Sequence, residues 1–473
     1  MIALNDIMTA LTGKTFTGQN LMLTEAAVDS RKVLPGGMFV ALRGEHTDGH
    51  EYITDAFQNG ALIAIVEKPV SEDFRVVDVS IAESMDQQQM PKIPFCIKVK
   101  DSLIALQTIA RFWRHKVDLR VIAITGSVGK SSTKELVAEV LNQKYRTHKN
   151  PGNYNNEIGL PLTILSMGLG HERLITEMGF YYPGEIKFLC EIASPQIGII
   201  TNVGTVHAER AGSQAQIAAG KAELAQALPA QPHGIAILNH DDALVREMAS
   251  MTKAKVLFYG LSPEANVWAS DIESKGLHGI ALTIHYQKEN LRLQVPLLGR
   301  HSVQTVLSAA AAGLADGLSF QEIAAGLEQG NGYLRLVPVR TESGALILDD
   351  TYNATPESTL AALDLLNGLQ GQKIAVLGDM LELGQYEQEG HEQVGKYAAR
   401  IVNHLIAVGE RGKTIAETAR ASGLSPAAIT WVENAVEATE LLRYNLKRGD
   451  VVLIKGSHGL RMDRIAATLE GIA

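Results

Sequence analysis

The stretch Val121-Ile-Ala-Ile-Thr125-Gly126-Ser127-Val128-Gly129-Lys130-Ser131-Ser132-Thr133-Lys134-Glu135 decides the fold. Its opening apolar run predicts a strand covered on both faces. Gly126 and Gly129 then let the chain turn tightly, and Lys130-Ser131 opens a helix. A glycine turn of this kind brings backbone N–H groups together, and the start of the helix adds partial positive charge, so the turn suits phosphate. Gly126, Ser127, Val128, Gly129, Lys130, Ser131 and Ser132 are therefore the expected nucleotide loop. Lys130 would reach the β- and γ-phosphates, and the Ser131 hydroxyl would ligate Mg²⁺. The usual pattern has its first glycine where this chain has Ile124, so the loop is a shortened variant. The plain alternative is a tight strand–helix turn with a chance Gly-Lys-Ser. ATP binding is the better reading because strand and helix both fall where the mechanism needs them.

Outward from this loop, short apolar runs recur at Phe39–Leu42, Leu62–Val66, Ile197–Thr201, Ile235–Leu238, Val256–Tyr259, Leu346–Leu348, Ile374–Leu377, Leu405–Val408 and Val451–Ile454. Between some of them lie helical stripes, at Thr133–Gln143, Val303–Leu314 and Ser358–Leu366. Strand and helix in alternation predict an α/β protein with largely parallel sheets, whose ligands gather at the carboxyl ends of the strands. Ile280–Tyr286 and Leu291–Leu297 alternate instead, which predicts an antiparallel hairpin around Gln287–Asn290. Three segments are expected: a smaller α/β domain over 1–100, closing in the loose stretch Ser84–Pro94; a central domain over 101–330 with the phosphate loop; and a Rossmann-like α/β domain over 331–473.

The chain has 473 residues, 46% hydrophobic and 20% charged, with net charge −9. This is the composition of a globular protein. The acidic balance argues against nucleic acid as a partner and for a small-molecule enzyme with local basic spots. Cys96 and Cys190 are too few and too far apart for a disulfide framework or a thiolate metal site. The first residues do not read as a signal peptide, and no apolar run is long enough for a membrane span. A cytoplasmic protein, acting as a monomer, is expected.

Several polar residues follow the phosphate loop. Asn153-Tyr-Asn155-Asn156-Glu157-Ile-Gly159 is rich in turn residues, Glu177 ends a short apolar run, Asn202 and His207 follow another, and Lys221-Ala-Glu223 is expected near the start of a helix. Each has an ordinary alternative: a solvated surface acid, a structural histidine, a common helical triplet. Jointly they mean more, because residues that follow strands of one parallel sheet converge on one edge. A carboxylate and an imidazole suit a second Mg²⁺, so Glu177 and His207 are candidate ligands.

Taken in order, these strings resemble the Mur ligase family, in its D-alanyl-D-alanine-adding branch. The first segment matches through Asp29-Ser30-Arg31, Pro35-Gly36, Phe39 to Gly44 and Asp48-Gly49-His50. The second matches through the phosphate loop, Asn155-Asn156-Glu157-Ile-Gly159, Glu177, Asn202, His207 and Lys221-Ala-Glu223. The third carries Asp349-Asp350-Thr351-Tyr352-Asn353-Ala354-Thr355-Pro356, then Gly378-Asp379-Met380-Leu381-Glu382-Leu383-Gly384 with His391, and finally Lys455-Gly456-Ser457.

The resemblance implies an enzyme that phosphorylates the carboxylate of a UDP-N-acetylmuramoyl-tripeptide with ATP, then joins it to the amine of D-alanyl-D-alanine. It assigns Ser30, Arg31, Asp48, Gly49 and His50 to the UDP-sugar substrate and adds Asn156 to the substrate set. It implies that Lys221 is carbamylated and joins Ser131, Glu177 and His207 around two Mg²⁺ ions, with Lys130, Glu177, His207 and Lys221 forming the catalytic set. Asp350 and Asn353, at a strand end, are expected to position nucleotide or dipeptide, and Ser457 to meet the dipeptide carboxylate. Two departures stand out. The family's Gly-x-His-Asn-x-x-Asn, whose amides contact adenine, is Gly299-Arg300-His301-Ser302-Val303-Gln304-Thr305 here, which leaves His301 and Thr305 as base contacts. The Gly-Arg pair that usually opens the third domain is Leu334-Arg335, with Arg335 toward the phosphates. Competing readings are a folylpolyglutamate-type or other amino-acid-adding ligase, a regulatory P-loop ATPase, and a nucleotide-binding protein that has lost catalysis.

Overall fold

A computed structural model describes residues 1–16, 21–80, 92–330 and 337–470. The chain divides into two compact units. One comprises Met1–Ala123, Tyr145–Gly179 and Ile186–Gln196; the other comprises Ile124–Lys144, Phe180–Glu185 and Ile197–Ala473. The boundaries expected near residues 100 and 330 fall inside these units.

The first unit holds a five-stranded parallel sheet in the order Ala26–Ala27, Met38–Val40, Ile63–Val66, Phe95–Lys98, Val76–Asp78. Its apolar side chains are buried against Ile53, Ala56 and Ala61. Phe95–Lys98, which the sequence reading passed over, lies between Ile63–Val66 and Val76–Asp78 and carries the same continuous apolar character. The helix Ser102–Lys116 follows, started by the Asp101 side chain accepting from the Ile104 N–H. The unit also pairs Thr147–Lys149 in parallel with Arg173–Glu177.

In the second unit Ile197–Ile200, Ile235–Asn239 and Lys255–Gly260 run parallel. Their buried faces are Ile, Leu, Ala and Tyr side chains with little or no exposure. Val267–Ser274, Ile280–Tyr286 and Glu289–Val295 continue as an antiparallel meander. The hairpin is tighter than expected. Tyr286 pairs with Glu289, so only two residues turn the chain, and Gln287 takes the left-handed conformation that such a turn requires. The expected helices are present, each reaching further than its apolar stripe: Lys130–Asn142, Ser302–Ala315 and Pro356–Gly368.

The same unit carries a six-stranded sheet in the order Val337–Arg340, Leu346–Asp349, Asp450–Lys455, Gln372–Gly378, His404–Val408, Ile429–Val432. Only its first pair is antiparallel. Three adjacent parallel strands therefore end side by side, and their carboxyl ends bring Asp349-Asp350, Lys455-Gly456 and Gly378-Asp379 to one edge. That is where a doubly wound sheet presents ligand-binding residues. Cores on both faces hold it, one built on Leu348, Leu363, Leu366 and Leu377, the other on Ile347, Val376, Val452 and Ile465.

Candidate active site

The phosphate loop is held from the strand end that follows Ile197–Ile200. Asn202 Oδ1 accepts from the Val128 N–H at 2.9 Å while its Nδ2 donates to the Val128 carbonyl at 2.9 Å. The Ser127 N–H donates to the Asn202 carbonyl, and the Ser127 hydroxyl accepts from the Gly204 N–H. Ser127 and Val128 thus hold the loop's shape with the groups expected to face phosphate, a duty the sequence reading did not foresee. Gly126 cannot be replaced without moving this frame: its φ is +147°, and a Cβ there would lie 1.8 Å from Thr201 Oγ1. The helix from Lys130 begins at Gly129, φ +87°, without a side-chain cap, so its first turn presents main-chain N–H groups. Lys130 Nζ rests on the loop, donating to the carbonyls of Gly126 and Ser127 at 2.8 and 3.2 Å.

Beside this loop lies a cavity of about 450 Å³, a size that suits a small-molecule ligand. Ser127–Gly129, Ser132 and Thr133 of the loop and its helix line it, as do Asn239, Asp242 and Tyr259. His301 and Thr305, which the resemblance assigns to the base, also line it, with Leu297 and Leu298. Ser302, in place of the family's first asparagine, spends its hydroxyl on the Leu298 carbonyl at 2.6 Å. Asp350, Asn353 and Lys455 complete the lining from the third segment. Lys455 is buried and donates to Asp350 Oδ2 at 2.6 Å and to the Asn353 carbonyl at 2.9 Å. Asp349 and Asp350 are not a helix cap pair. Asp349 accepts from the Thr351 N–H and hydroxyl, and the helix from Pro356 is capped by Thr355. Arg335 lies outside the described residues.

Lys221 falls in the middle of the helix Gln214–Ala227, where the sequence reading expected a helix start, because Ser213 begins the helix two turns earlier. It is 1% exposed, and its Nζ lies 5.1 Å from the centre of the Phe180 ring. Gly220 makes room for that ring, since a Cβ there would sit 2.0 Å from it. Burial, aided by the charge of Lys130, holds the Lys221 amine well below its ordinary pKa. His207 is pushed down to about 3 by burial and by Lys130, Lys221 and Arg210. Its Nδ1 lies 2.7 Å from Glu382 Oε2, a contact the sequence reading missed. Ser457, expected at the dipeptide, is buried, and its hydroxyl accepts from the Leu381 N–H. His391 locks the same turn, its Nε2 accepting from the Met380 N–H while Nδ1 meets the Glu387 carbonyl.

In the first unit Glu177 is 3% exposed. Its Oε1 accepts from Asn155 Nδ2 at 2.9 Å, and its N–H donates to Asn150 Oδ1. Asn156, assigned by the resemblance to the substrate, has its Oδ1 accepting from the Gly159 N–H at the start of the helix Gly159–Leu165. His50 is a strut: Nδ1 meets Asp48 Oδ1 at 2.6 Å and Nε2 accepts from the Glu67 N–H, so both ring nitrogens are spent inside the fold. Asp48 also accepts from Lys68, whose hydrogen bond holds its carboxyl below the usual range. Gly49 packs on Leu42, where a Cβ would lie 2.8 Å from main-chain atoms. Ser30 is buried, and the exposed Arg31 reaches back to Asp29 through two bonds of 2.9 Å.

A glycine loop at a helix start, a neighbouring cavity faced by a buried lysine–aspartate pair, and a buried amine whose pKa burial and Lys130 lower define a P-loop enzyme that acts on nucleotide phosphates. Within that class, the chain belongs to the Mur ligase family. Residues 24–114 match the Mur ligase family catalytic domain, 124–313 the Mur ligase middle domain, and 334–458 the Mur ligase glutamate ligase domain. It is 34% identical to the UDP-N-acetylmuramoyl-tripeptide–D-alanyl-D-alanine ligase of Synechocystis, over 99% of this chain and 97% of that one. It is 31% identical to the Escherichia coli protein of the same name, over 99% and 98%. Among solved structures, MurF from Acinetobacter baumannii superposes with a TM-score of 0.83 at 28% identity, covering 99% of this chain and 98% of that one. MurF from Thermotoga maritima, solved with ADP, gives 0.80 at 26%, covering 96% and 99%.

Proposed function

We propose that the chain is an ATP-dependent amide ligase that joins D-alanyl-D-alanine to UDP-N-acetylmuramoyl-tripeptide, a step of peptidoglycan precursor synthesis. Full-length similarity to relatives of that name supports this reading. The observation in the fold that carries it is a cavity lined both by the phosphate loop and by Asp350 and Lys455. The three segments would divide the work: 1–100 holds the UDP-sugar, 101–330 the ATP, and 331–473 closes on the nucleotide and brings the dipeptide. That reading implies a reaction in the cytoplasm, where nucleotide and UDP-linked substrates occur. No helix among the described residues is long and apolar enough to cross a membrane.

The chemistry follows from what a carboxylate lacks, a leaving group. An oxygen of the tripeptide carboxylate attacks the γ-phosphorus of ATP and the bridging P–O bond to ADP breaks. The dipeptide amine then attacks the acyl carbon, a C–N bond forms, and phosphate and a proton leave. Charge spreads over the transferring phosphoryl oxygens, and fixed donors stabilise it most where water is excluded. The first-turn N–H groups after Gly129 and the Lys130 ammonium are such donors here.

The residues suit Mg²⁺. A histidine held neutral, with Nδ1 given to a carboxylate, offers Nε2 to a cation. The neutral amine is the form that attacks CO₂, losing a proton to leave a carbamate anion, and burial shifts Lys221 toward that form. Ser131, Glu177, His207 and carbamylated Lys221 would hold the ions, which supply charge neutralisation to the transferring phosphoryl group. Among the described residues no cluster of three or more His, Cys, Asp or Glu forms a ready-made metal cage, which is why the carbamate matters to this reading.

The test is phosphate release from Mg-ATP with UDP-N-acetylmuramoyl-tripeptide, with and without D-alanyl-D-alanine, with the product weighed. Release that needs both substrates, and a product heavier by the dipeptide residue, is the expected result. Release indifferent to both would make the chain an ATPase.

A further inference from the structure

The turn Gly378–Gly384 delivers Glu382 onto the segment that carries His207. Glu382 Oε2 is 2.7 Å from His207 Nδ1, and Oε1 is 3.7 Å from Arg210 Nη2. The Glu209 N–H donates to the Glu382 carbonyl at 3.4 Å. Gly384 sits flush against the same segment, where a Cβ would lie 2.8 Å from Glu209 Cα. The Arg210 guanidinium lies 4.6 Å from the centre of the Tyr181 ring, and that ring meets His207 edge-on at 5.0 Å. The turn is braced from behind, with the Met380 N–H on His391 and the Leu381 N–H on Ser457. Glu382 and His207 both hold left-handed backbone, φ +64° and +69°, which a residue with a side chain adopts at a cost. Such strain persists where the surroundings enforce it and marks functional positions.

We infer that Glu382 is a positioning residue for His207. By accepting a hydrogen bond from the Nδ1–H it fixes the tautomer whose Nε2 carries the lone pair and aims that nitrogen. It comes from the sheet ending in Gly378 and Asp379, so the imidazole is set only when that turn is seated on residues 207–212. This rests on the ligase reading, in which His207 is a cation ligand. It adds that the ligand is completed in step with the arrival of the segment assigned to the dipeptide. A carboxylate behind a ligating histidine fixes orientation and raises basicity, and its loss typically costs 10- to 100-fold in metal affinity or activity.

The experiment is long-range ¹H–¹⁵N NMR on full-length protein labelled at histidine nitrogens, with His207→Gln assigning the resonance. Wild type should show His207 protonated at Nδ1. Glu382→Ala should shift it to the Nε2-protonated or a mixed form, and Glu382→Gln, which keeps an acceptor oxygen, should retain it. In parallel, Mn²⁺ affinity measured by paramagnetic resonance with ADP present should fall about 10- to 100-fold in Glu382→Ala and less in Glu382→Gln. Glu382→Gly relieves the backbone, so its Tm should hold or rise while Mn²⁺ affinity falls, a divergence that a merely structural glutamate would not produce. An unchanged tautomer, or unchanged Mn²⁺ affinity, in Glu382→Ala would overturn the inference. Neither readout uses the tripeptide or the dipeptide. A wild-type chain inactive with both would end the ligase reading and leave the tautomer result standing.

Discussion

Asn202 grips Val128 by both of its main-chain groups, accepting from the N–H and donating to the carbonyl, each at 2.9 Å. A carboxamide thereby plays the part of a neighbouring strand for one residue of a loop that has none. Asn202→Ala removes both bonds from a partly buried site, at about 1 kcal/mol each. The expected outcome is a protein roughly 2 kcal/mol less stable in urea melts, with the KM for ATP raised because the loop no longer holds its shape. Asn202→Asp keeps the acceptor but sets an oxygen against the Val128 carbonyl, and should be worse than alanine.

Lys130→Ala should fold as wild type, since the bonds it removes to the Gly126 and Ser127 carbonyls lie within a loop that Asn202 and Thr201 hold independently. Turnover should drop by at least about 10²-fold, the usual loss when a donor to a developing charge is removed. Steady-state phosphate release together with circular dichroism separates the two.

Lys221→Ala should be inactive, and a small carboxylate such as formate should restore part of the rate by standing in for the carbamate. Removal of dissolved CO₂ should slow the wild type and leave the variant unaffected. Burial that lowers the lysine pKa keeps the amine reactive toward CO₂ at neutral pH, so the wild type should recover when bicarbonate is returned.

The Lys455–Asp350 pair, with side-chain exposures of 2% and 15%, should be costly to break from one side. Lys455→Met leaves a mostly buried carboxylate without its cation, and a loss of about 3 kcal/mol is expected. The double variant Lys455→Met with Asp350→Asn should recover much of that loss in chemical denaturation while remaining poor at ligation.

His148 gives a pH signature. Burial, with His171 nearby, lowers it to about 4 from an ordinary 6.5. Below about pH 6.5 the unfolded chain takes up a proton there that the folded chain refuses, so the residue subtracts stability progressively down to about pH 4. His148→Asn should lose that slope. The variant's stability relative to wild type should rise between pH 6.5 and 4 and stay level above 7, as measured by urea melts across that range.

The central strands and the phosphate loop were legible because a doubly covered strand is continuously apolar and a glycine turn before Lys-Ser has few other uses. Val267–Ser274 and Thr147–Lys149 escaped notice because both run polar over much of their length, and pairing with neighbours, which sequence periodicity does not reveal, makes them strands. At the site, Lys130, Lys221 and His207 could be named from their motifs. Their supports could not. Asn155 behind Glu177, Asn202 beneath Val128 and Glu382 behind His207 are ordinary polar residues until the chain folds, and the last of these reaches its partner across 175 positions of sequence. His50 and Ser457 show what a motif leaves out, since it names a residue and says nothing of which partners its polar atoms meet in the fold.

Gly204 lines the cavity at a point where a Cβ would lie 2.9 Å from Glu357 Oε1. There the segment after Ile197–Ile200 meets the helix Pro356–Gly368 with only main chain on one side. The gap is therefore gauged by backbone, and no rotamer change can widen or narrow it from the glycine's side. A molecule built to bond the peptide groups of Gly204 and the phosphate loop would address atoms that every substitution leaves in place. The replacement that would push that molecule out is a side chain at position 204, which needs only the Glu357 carboxylate, the far end of an exposed side chain, to swing aside. Resistance by point mutation would therefore be expected first at Gly204.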